Sequence, residues 1–275
     1  MVLALFPCLS GRNAAQSPST TPPRTLFSQS AIEVLEREFS SSGVSYLLLD
    51  ANSGVLLASR WEDSGKPIPL GSLVKPFTAL AYAGAHDFRY PVYECKGQAS
   101  GCWELRPHGK LDIVSAISVS CNSYFRSLAE SVTSEQLLPV TRTFDLESPE
   151  ANVTGPNLIG IGDRWKISPQ RMARAYLELY RRREQPGVRE ILAGMLRSAQ
   201  QGTGAAVGRA LKHSEAFVKT GTAPCIHTPG APGDGFVVAM VPAQALEIVL
   251  MVRVHGVPGA KAAETAGRML NRMEE

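Results

Sequence analysis

Three short clusters of this chain could do chemistry together: Ser72 with Lys75, Ser120 with Asn122, and Lys219 with Thr220, Gly221 and Thr222. A serine hydroxyl is a weak nucleophile until a base stands within hydrogen-bond reach. Lys75 follows Ser72 by three residues, so on a helix the two share a face after one turn. A neutral amine can take the hydroxyl proton, and the like charge of Lys219 would help to keep Lys75 neutral. Ser120 adds a hydroxyl that can relay the proton to a leaving group, while the Asn122 amide can hold a substrate carbonyl. Lys219 with the hydroxyls of Thr220 and Thr222 suits a carboxylate through charge-assisted bonds. Gly221 removes a side chain where a ligand backbone must approach, so that an extended ligand can add to the strand edge. The backbone N–H groups of Ser72 and Thr222 would then form an oxyanion hole. The chemistry implied is acyl transfer through a serine ester.

Each cluster also has a bland reading. Ser72 and Lys75 could be an N-capping serine and a solvated lysine, Ser120 and Asn122 a plain cap between helices, and Lys219 to Thr222 an incidental strand. The occurrence of all three in this order, each in a suitable local setting, decides against those readings. Ser72 follows Pro69, Leu70 and Gly71 and precedes a helical run at 77–85, which places it near a helix N-terminus, where free N–H groups favour developing negative charge. Pro76 is tolerable only in a first turn, which agrees. Ser120 and Asn122 fall where one helical pattern ends and another begins, with Asn122 able to cap the second. Lys219 sits in a strand pattern after the apolar residues 216–218.

The elements that must hold these residues follow from periodicity. Helices are expected at 30–39, 112–119, 122–131, 168–182, 189–198 and 260–272. Strands are expected at 44–49 and 55–59, joined as a hairpin through 50–54, and again at 216–222, 236–241 and 246–254. Two early strands, three late strands and helices between them exclude a doubly wound parallel sheet. The pattern predicts an α+β fold: a five-stranded antiparallel sheet flanked by terminal helices, with an all-helical lobe inserted at about 72–210.

The chain has 275 residues, 44% hydrophobic and 19% charged, enough for a substantial core. A net charge of +3 gives no argument for nucleic acid, and Arg181 to Arg183 reads as the solvated end of a helix. Residues 1–29 read as a degenerate export signal and a Ser/Thr/Pro linker, perceptibly different in composition from 30–275, with the true start codon placed upstream; a disordered cytoplasmic tail is the other reading. Cys8 lies in a poor lipidation context. Five cysteines do not make a disulfide scaffold at this length; Cys95 and Cys102, with six residues between them in a Gly-containing loop, could bridge in an oxidising compartment, and two free thiols in a turn are the other reading. No Cys/His spacing suggests zinc; His86, His108, His213, His227 and His255 look scattered. Neither a metal nor a cofactor is called for.

With these residues in hand, the chain resembles the transpeptidase domain of penicillin-binding proteins, within the superfamily that includes the serine β-lactamases. Gly71 to Phe77 is similar to the family's nucleophile segment, and 95–125 to the stretch leading into its second motif. Residues 160–176 resemble a helix packed behind the active site, and Gly202-Thr203-Gly204 precedes Lys219-Thr220-Gly221 as it often does in the family. The resemblance runs from about 46 to 269. It implies a penicillin-binding D,D-transpeptidase or D,D-carboxypeptidase acting outside the cytoplasm, in a periplasmic or extracytoplasmic setting, on peptidoglycan stem peptides. In that scheme Ser72, Lys75 and Ser120 are catalytic, while Asn122, Lys219, Thr220, Gly221 and Thr222 bind substrate. Partners would be stem peptides or β-lactams, with other wall enzymes as protein partners, and no nucleic acid.

The sequence also departs from the family. The membrane helix and pedestal of wall-building members are not recognisable in it, and the second and third motifs are close together, as in oxacillin-hydrolysing β-lactamases and antibiotic-sensor domains. Those enzymes usually carry an apolar residue where this chain has Asn122. A class A deacylating glutamate is suggested only superficially, by 147–152. A β-lactamase and a non-turnover sensor or scaffold domain are the alternatives.

Overall fold

The computed structural model describes residues 26–225, 230, 231 and 233–274. The expected export signal and linker, with Cys8, and also His227 lie outside the described residues. A helix, α1 (Leu26–Glu38), precedes the hairpin β1 (Val44–Asp50) and β2 (Leu56–Arg60). Three strands, β7 (Phe217–Ala223), β8 (Asp234–Val241) and β9 (Ile248–Val254), come late, after strands β3 to β6, which are described below. All five strands join one antiparallel sheet in the order β2-β1-β9-β8-β7, so β7 is an edge. The fold class expected from periodicity is the one observed.

The sheet is buried on both faces because alternate residues of its central strands sort into two cores. Leu47, Leu49, Phe236, Val238, Val249 and Met251 face the helical side. Tyr46, Leu48, Val237, Ala239, Leu250 and Val252 face α1 and the last helix, α9 (Gly259–Glu274). Register carries this alternation out to the edge strand. Phe217, Lys219 and Gly221 pair with Met240, Val238 and Phe236, which places Lys219 on the helical side of β7.

Between β2 and β7 run α2 (Lys75–Gly84), α3 (Ile113–Ser118), α4 (Asn122–Ala129), α5 (Ser134–Thr143), α6 (Pro169–Arg181), α7 (Val188–Gln201) and α8 (Ala205–Ala210). The sequence predicted an all-helical lobe, and the structure corrects this. The region contains two short ribbons, β3 (Ile68–Pro69) with β6 (Lys166–Ile167), and β4 (Tyr93–Cys95) with β5 (Gly109–Leu111). Strands of two or three residues carry too little periodicity to be legible in a sequence. Among the described residues no helix is long and apolar enough to cross a membrane.

Candidate active site

Ser72 lies in a single 3-10 turn, Gly71–Val74, that runs directly into α2. Gly71 has φ +58, and a Cβ there would stand 2.1 Å from the Thr222 carbonyl oxygen. The nucleophile turn is therefore pressed against β7. The turn is held from behind as well: the Tyr176 hydroxyl of α6 donates to the Leu73 carbonyl at 2.8 Å, and the Thr78 hydroxyl donates to the Leu158 carbonyl. Lys75 opens α2 and is fully buried, and Pro76 takes the adjacent first-turn position, where its missing N–H is harmless.

Gly221 has a different reason from the one expected. A Cβ at this position would lie 2.5 Å from the Leu70 carbonyl oxygen and 3.0 Å from the Leu73 side chain. The glycine lets the chain's own nucleophile segment approach the strand, rather than making room for a ligand. Thr222, one residue on, is exposed to the cleft, and its hydroxyl accepts from the Gly259 N–H at 2.9 Å.

Ser120 sits at the end of α3 with φ +51. Its N–H bonds the Ile117 carbonyl at 3.1 Å, and the Cys121 N–H bonds the Ala116 carbonyl at 3.0 Å. These are the paired bonds of a Schellman motif, whose left-handed position is usually glycine. A serine there carries strain of about 1–3 kcal/mol, which marks it as a residue wanted for its side chain. The cap of α4 is Cys121, whose sulfur accepts from the Tyr124 N–H at 3.5 Å. Asn122, expected as the possible cap, is instead the first helical residue, which leaves its amide free for other work.

These segments bring two lysines to one hydroxyl. Lys75 Nζ donates to the Ser120 carbonyl at 2.7 Å, to Asn122 Oδ1 at 2.7 Å, and to Ser120 Oγ at 3.3 Å. Lys219 Nζ donates to the same Oγ at 2.9 Å and to the Thr220 carbonyl at 2.7 Å. Every one of these acceptors is neutral. Burial pushes the Lys75 ammonium down to about 7, and burial followed by the charge of Lys75 holds Lys219 well below its ordinary value. Like-charge repulsion, the cause expected from sequence, is thus secondary to desolvation. With Oδ1 of Asn122 committed to Lys75, the N–H₂ half of that amide is the part left for a ligand carbonyl.

Ser72, Ser120, Asn122, Thr220, Gly221 and Thr222 line one cleft of about 180 Å³. All eight residues picked out from the sequence come together around this cleft. Three further contributors were missed as site residues. Thr203 accepts from the Thr220 hydroxyl at 2.7 Å. Trp103, half exposed at the cleft, donates through Nε1 to the Ser120 carbonyl at 3.2 Å. Gly259 contributes the N–H that orients Thr222. Thr203 and Trp103 lay within stretches that resemble the family but carried no role there, because the contacts are long-range. Among the described residues no carboxylate lines the cleft. Glu147 instead accepts from the Ser168 N–H at 3.2 Å, and Glu150 pairs with Arg164 at 3.1 Å. A larger groove of about 900 Å³ along α5 and 148–155 contains none of the motif residues.

Of the two readings of Cys95 and Cys102, the structure has the unbridged one: both are free thiols. Cys95, Cys102 and Cys121 also converge with His108, which the sequence reading had counted among scattered histidines. The intervals between them, six, five and twelve residues, match no short metal-binding spacing, so only the folded chain gathers them.

The penicillin binding protein transpeptidase domain model matches residues 45–273. No curated protein matches by sequence. Among solved structures, Pseudomonas aeruginosa PBP2 in complex with WCK 5153 is similar with a TM-score of 0.69 and 17% identity, over 90% of this chain and 73% of that one. Helicobacter pylori PBP2 in complex with MreC gives 0.72 and 16%, again over 90% of this chain; the match spans 62% of the H. pylori chain. The transpeptidase domain of Burkholderia pseudomallei penicillin-binding protein 3 gives 0.66 and 17%, over 90% and 91% of the two chains. At these identities the structures speak for the fold, and the family match covers most of the sequence: the chain belongs to the penicillin-binding protein transpeptidase domain family.

Proposed function

We propose that this protein is a penicillin-binding serine acyltransferase that acts on D-Ala-D-Ala stem peptides of peptidoglycan outside the cytoplasm, as a D,D-transpeptidase or D,D-carboxypeptidase. One observation carries the reading: two buried lysines share the Ser120 hydroxyl, with only neutral acceptors around them, beside a cleft into which Ser72 opens. In this scheme Ser72 Oγ attacks the penultimate D-Ala carbonyl and its proton passes to neutral Lys75 Nζ. The developing oxyanion takes hydrogen bonds from the Ser72 and Thr222 N–H groups. The proton then travels through Ser120 to the amine of the terminal D-Ala, which departs as its C–N bond breaks. Lys219, Thr220 and Thr222 hold the terminal carboxylate, whose negative charge supplies what the lysine pair lacks. An acceptor amine (transpeptidation) or water (carboxypeptidation) resolves the ester.

Rapid hydrolysis of the acyl-enzyme requires a base that holds a water beside the ester. The cleft offers no carboxylate among the described residues, which favours a lasting adduct over β-lactamase turnover. The test is intact-protein mass spectrometry with benzylpenicillin over time, with release of D-Ala from a stem-peptide mimic measured in parallel. We expect one penicilloyl group, absent in Ser72→Ala, that persists for minutes or longer, together with D-Ala release. Labelling that survives Ser72→Ala would remove the nucleophile assignment. Steady nitrocefin turnover would establish the β-lactamase alternative, and a lasting adduct without D-Ala release the sensor alternative.

A further inference from the structure

Behind the Ser120 turn, three cysteines and a histidine that the acyl-transfer scheme does not use meet at one point. Cys95 ends β4, Cys102 follows a short 3-10 helix (Gly97–Ser100), His108 immediately precedes β5, and Cys121 caps α4. The three thiols are buried, at 0%, 6% and 0% exposure, and His108 is half-buried. One ligand atom from each of the four residues lies within 4.8 Å of every other. Cys102 Sγ and Cys121 Sγ are 3.7 Å apart, and His108 Nδ1 is 3.5 Å from Cys95 Sγ and 3.6 Å from Cys102 Sγ.

These separations can be compared with a tetrahedral zinc site. Bonds of about 2.3 Å to sulfur and about 2.05 Å to nitrogen require S···S edges of about 3.8 Å and S···N edges of about 3.6 Å. Three edges of the cluster meet those values to about 0.1 Å. The surroundings also suit thiolate ligands. The Ser100 hydroxyl donates to the Cys95 sulfur at 4.0 Å, and the Tyr124 N–H donates to that of Cys121 at 3.5 Å. Such donors stabilise metal-bound sulfur and fix its direction. The loop is built tightly for this purpose: Gly97 has φ +67, and a Cβ there would stand 2.4 Å from the Leu105 carbonyl oxygen. Three soft sulfurs and one imidazole, closed on four sides, describe a structural site for a zinc-class ion rather than a hard-cation or open catalytic site.

We propose that the protein binds one divalent zinc-class ion through the sulfurs of Cys95, Cys102 and Cys121 and Nδ1 of His108. Binding displaces the three thiol protons into solvent and leaves one net negative charge at the centre. The ion ties the β4–β5 ribbon to the α3–α4 turn. Cys121 stands between Ser120 and Asn122, so the ion fixes the turn that holds Ser120 at its strained φ. Trp103, next to Cys102, reaches the same turn through its bond to the Ser120 carbonyl. An ion here also protects the thiols from pairing in an oxidising compartment.

The test uses the full chain, purified from zinc-supplemented medium. Elemental analysis should find about one zinc per chain, and cobalt(II) exchange should produce thiolate-to-metal charge-transfer absorption with a tetrahedral d–d band. His108→Ala, which alters the ligand nearest solvent, should weaken zinc binding at least ~10-fold, the lower end of what loss of even a supporting contact does. Ser72→Ala should bind zinc normally, which separates this proposal from the acyl-transfer reading. On that reading, and resting on it, chelator-stripped protein should be acylated by a fluorescent penicillin at least ~10-fold more slowly and recover with zinc. Metal-free protein that gives no cobalt–thiolate band overturns the site, and so does an intact mass lowered by two hydrogens through a disulfide among these cysteines. Full zinc retention in His108→Ala overturns the ligand assignment.

Discussion

At the scale of single residues, the site turns on two buried lysines that, among the described residues, donate only to neutral acceptors. Lys219 donates to Ser120 and to its own strand, so its charge is available to a ligand carboxylate. Lys219→Ala should slow acylation of Ser72 by a factor equivalent to about 2–5 kcal/mol, the scale for losing one partner of a desolvated charge pair. The check is the second-order rate of fluorescent-penicillin labelling, and a rate within twofold of the parent would remove the role. Lys75 leads to a pH prediction. Its folded-state value is lowered from 10.5 to about 7, so the neutral, proton-accepting form grows as pH rises through 7. Acylation should increase between about pH 6 and 8 and then level off. A rate that falls over this interval would mean the charged form is the one required.

At the scale of elements, backbone proximity rather than side-chain contact sets the cleft. The 3-10 turn that carries Ser72 is wedged between β7 and the turn at Gly160. A Cβ on Gly160, which has φ +78, would lie 2.0 Å from the Gly71 carbonyl oxygen. Gly160→Ala should therefore destabilise the fold by about 1–3 kcal/mol through the strained φ alone, and displace the nucleophile turn. We expect a lower urea midpoint and slower acylation together. Loss of stability with full acylation would show that the turn relaxes without moving Ser72. Capping supplies the other device at this scale. Asp112 caps α3 through the Ser115 N–H at 2.7 Å and Cys121 caps α4, so both helices start from fixed side chains on either side of Ser120.

At the scale of the whole molecule, the cleft lies at the seam between the edge of the five-stranded sheet and the helical region inserted into its connection. A ligand ester-linked to Ser72 and bound along β7 touches both sides of that seam. Acylation should therefore favour the native state over the unfolded chain. Each 1 kcal/mol gained raises the melting temperature by about 2–4 °C for a chain of this size. Differential scanning calorimetry of penicilloylated protein against the free form should show a rise of a few degrees, absent in Ser72→Ala. An unchanged melting temperature in fully acylated protein would mean that the adduct contacts only the nucleophile turn.

The sequence by itself determined the five strands of the main sheet, the main helices and the eight motif residues. Alternation of two in Leu47 to Leu49 and Val237 to Met240, and a period near 3.6 in α6 and α7, are local properties written in consecutive residues. Ser72 with Lys75 and Lys219 with Thr222 were legible for the same reason, since each group spans at most one turn or one strand edge. Only the tertiary structure decided why Gly221 is glycine, that burial rather than Lys219 lowers Lys75, that Cys121 and not Asn122 caps α4, and that Cys95, Cys102, His108 and Cys121 meet. Each of these depends on which distant segment packs against a residue. Proximity of that kind arises from burying two faces of one sheet, and no interval counted along the chain contains it.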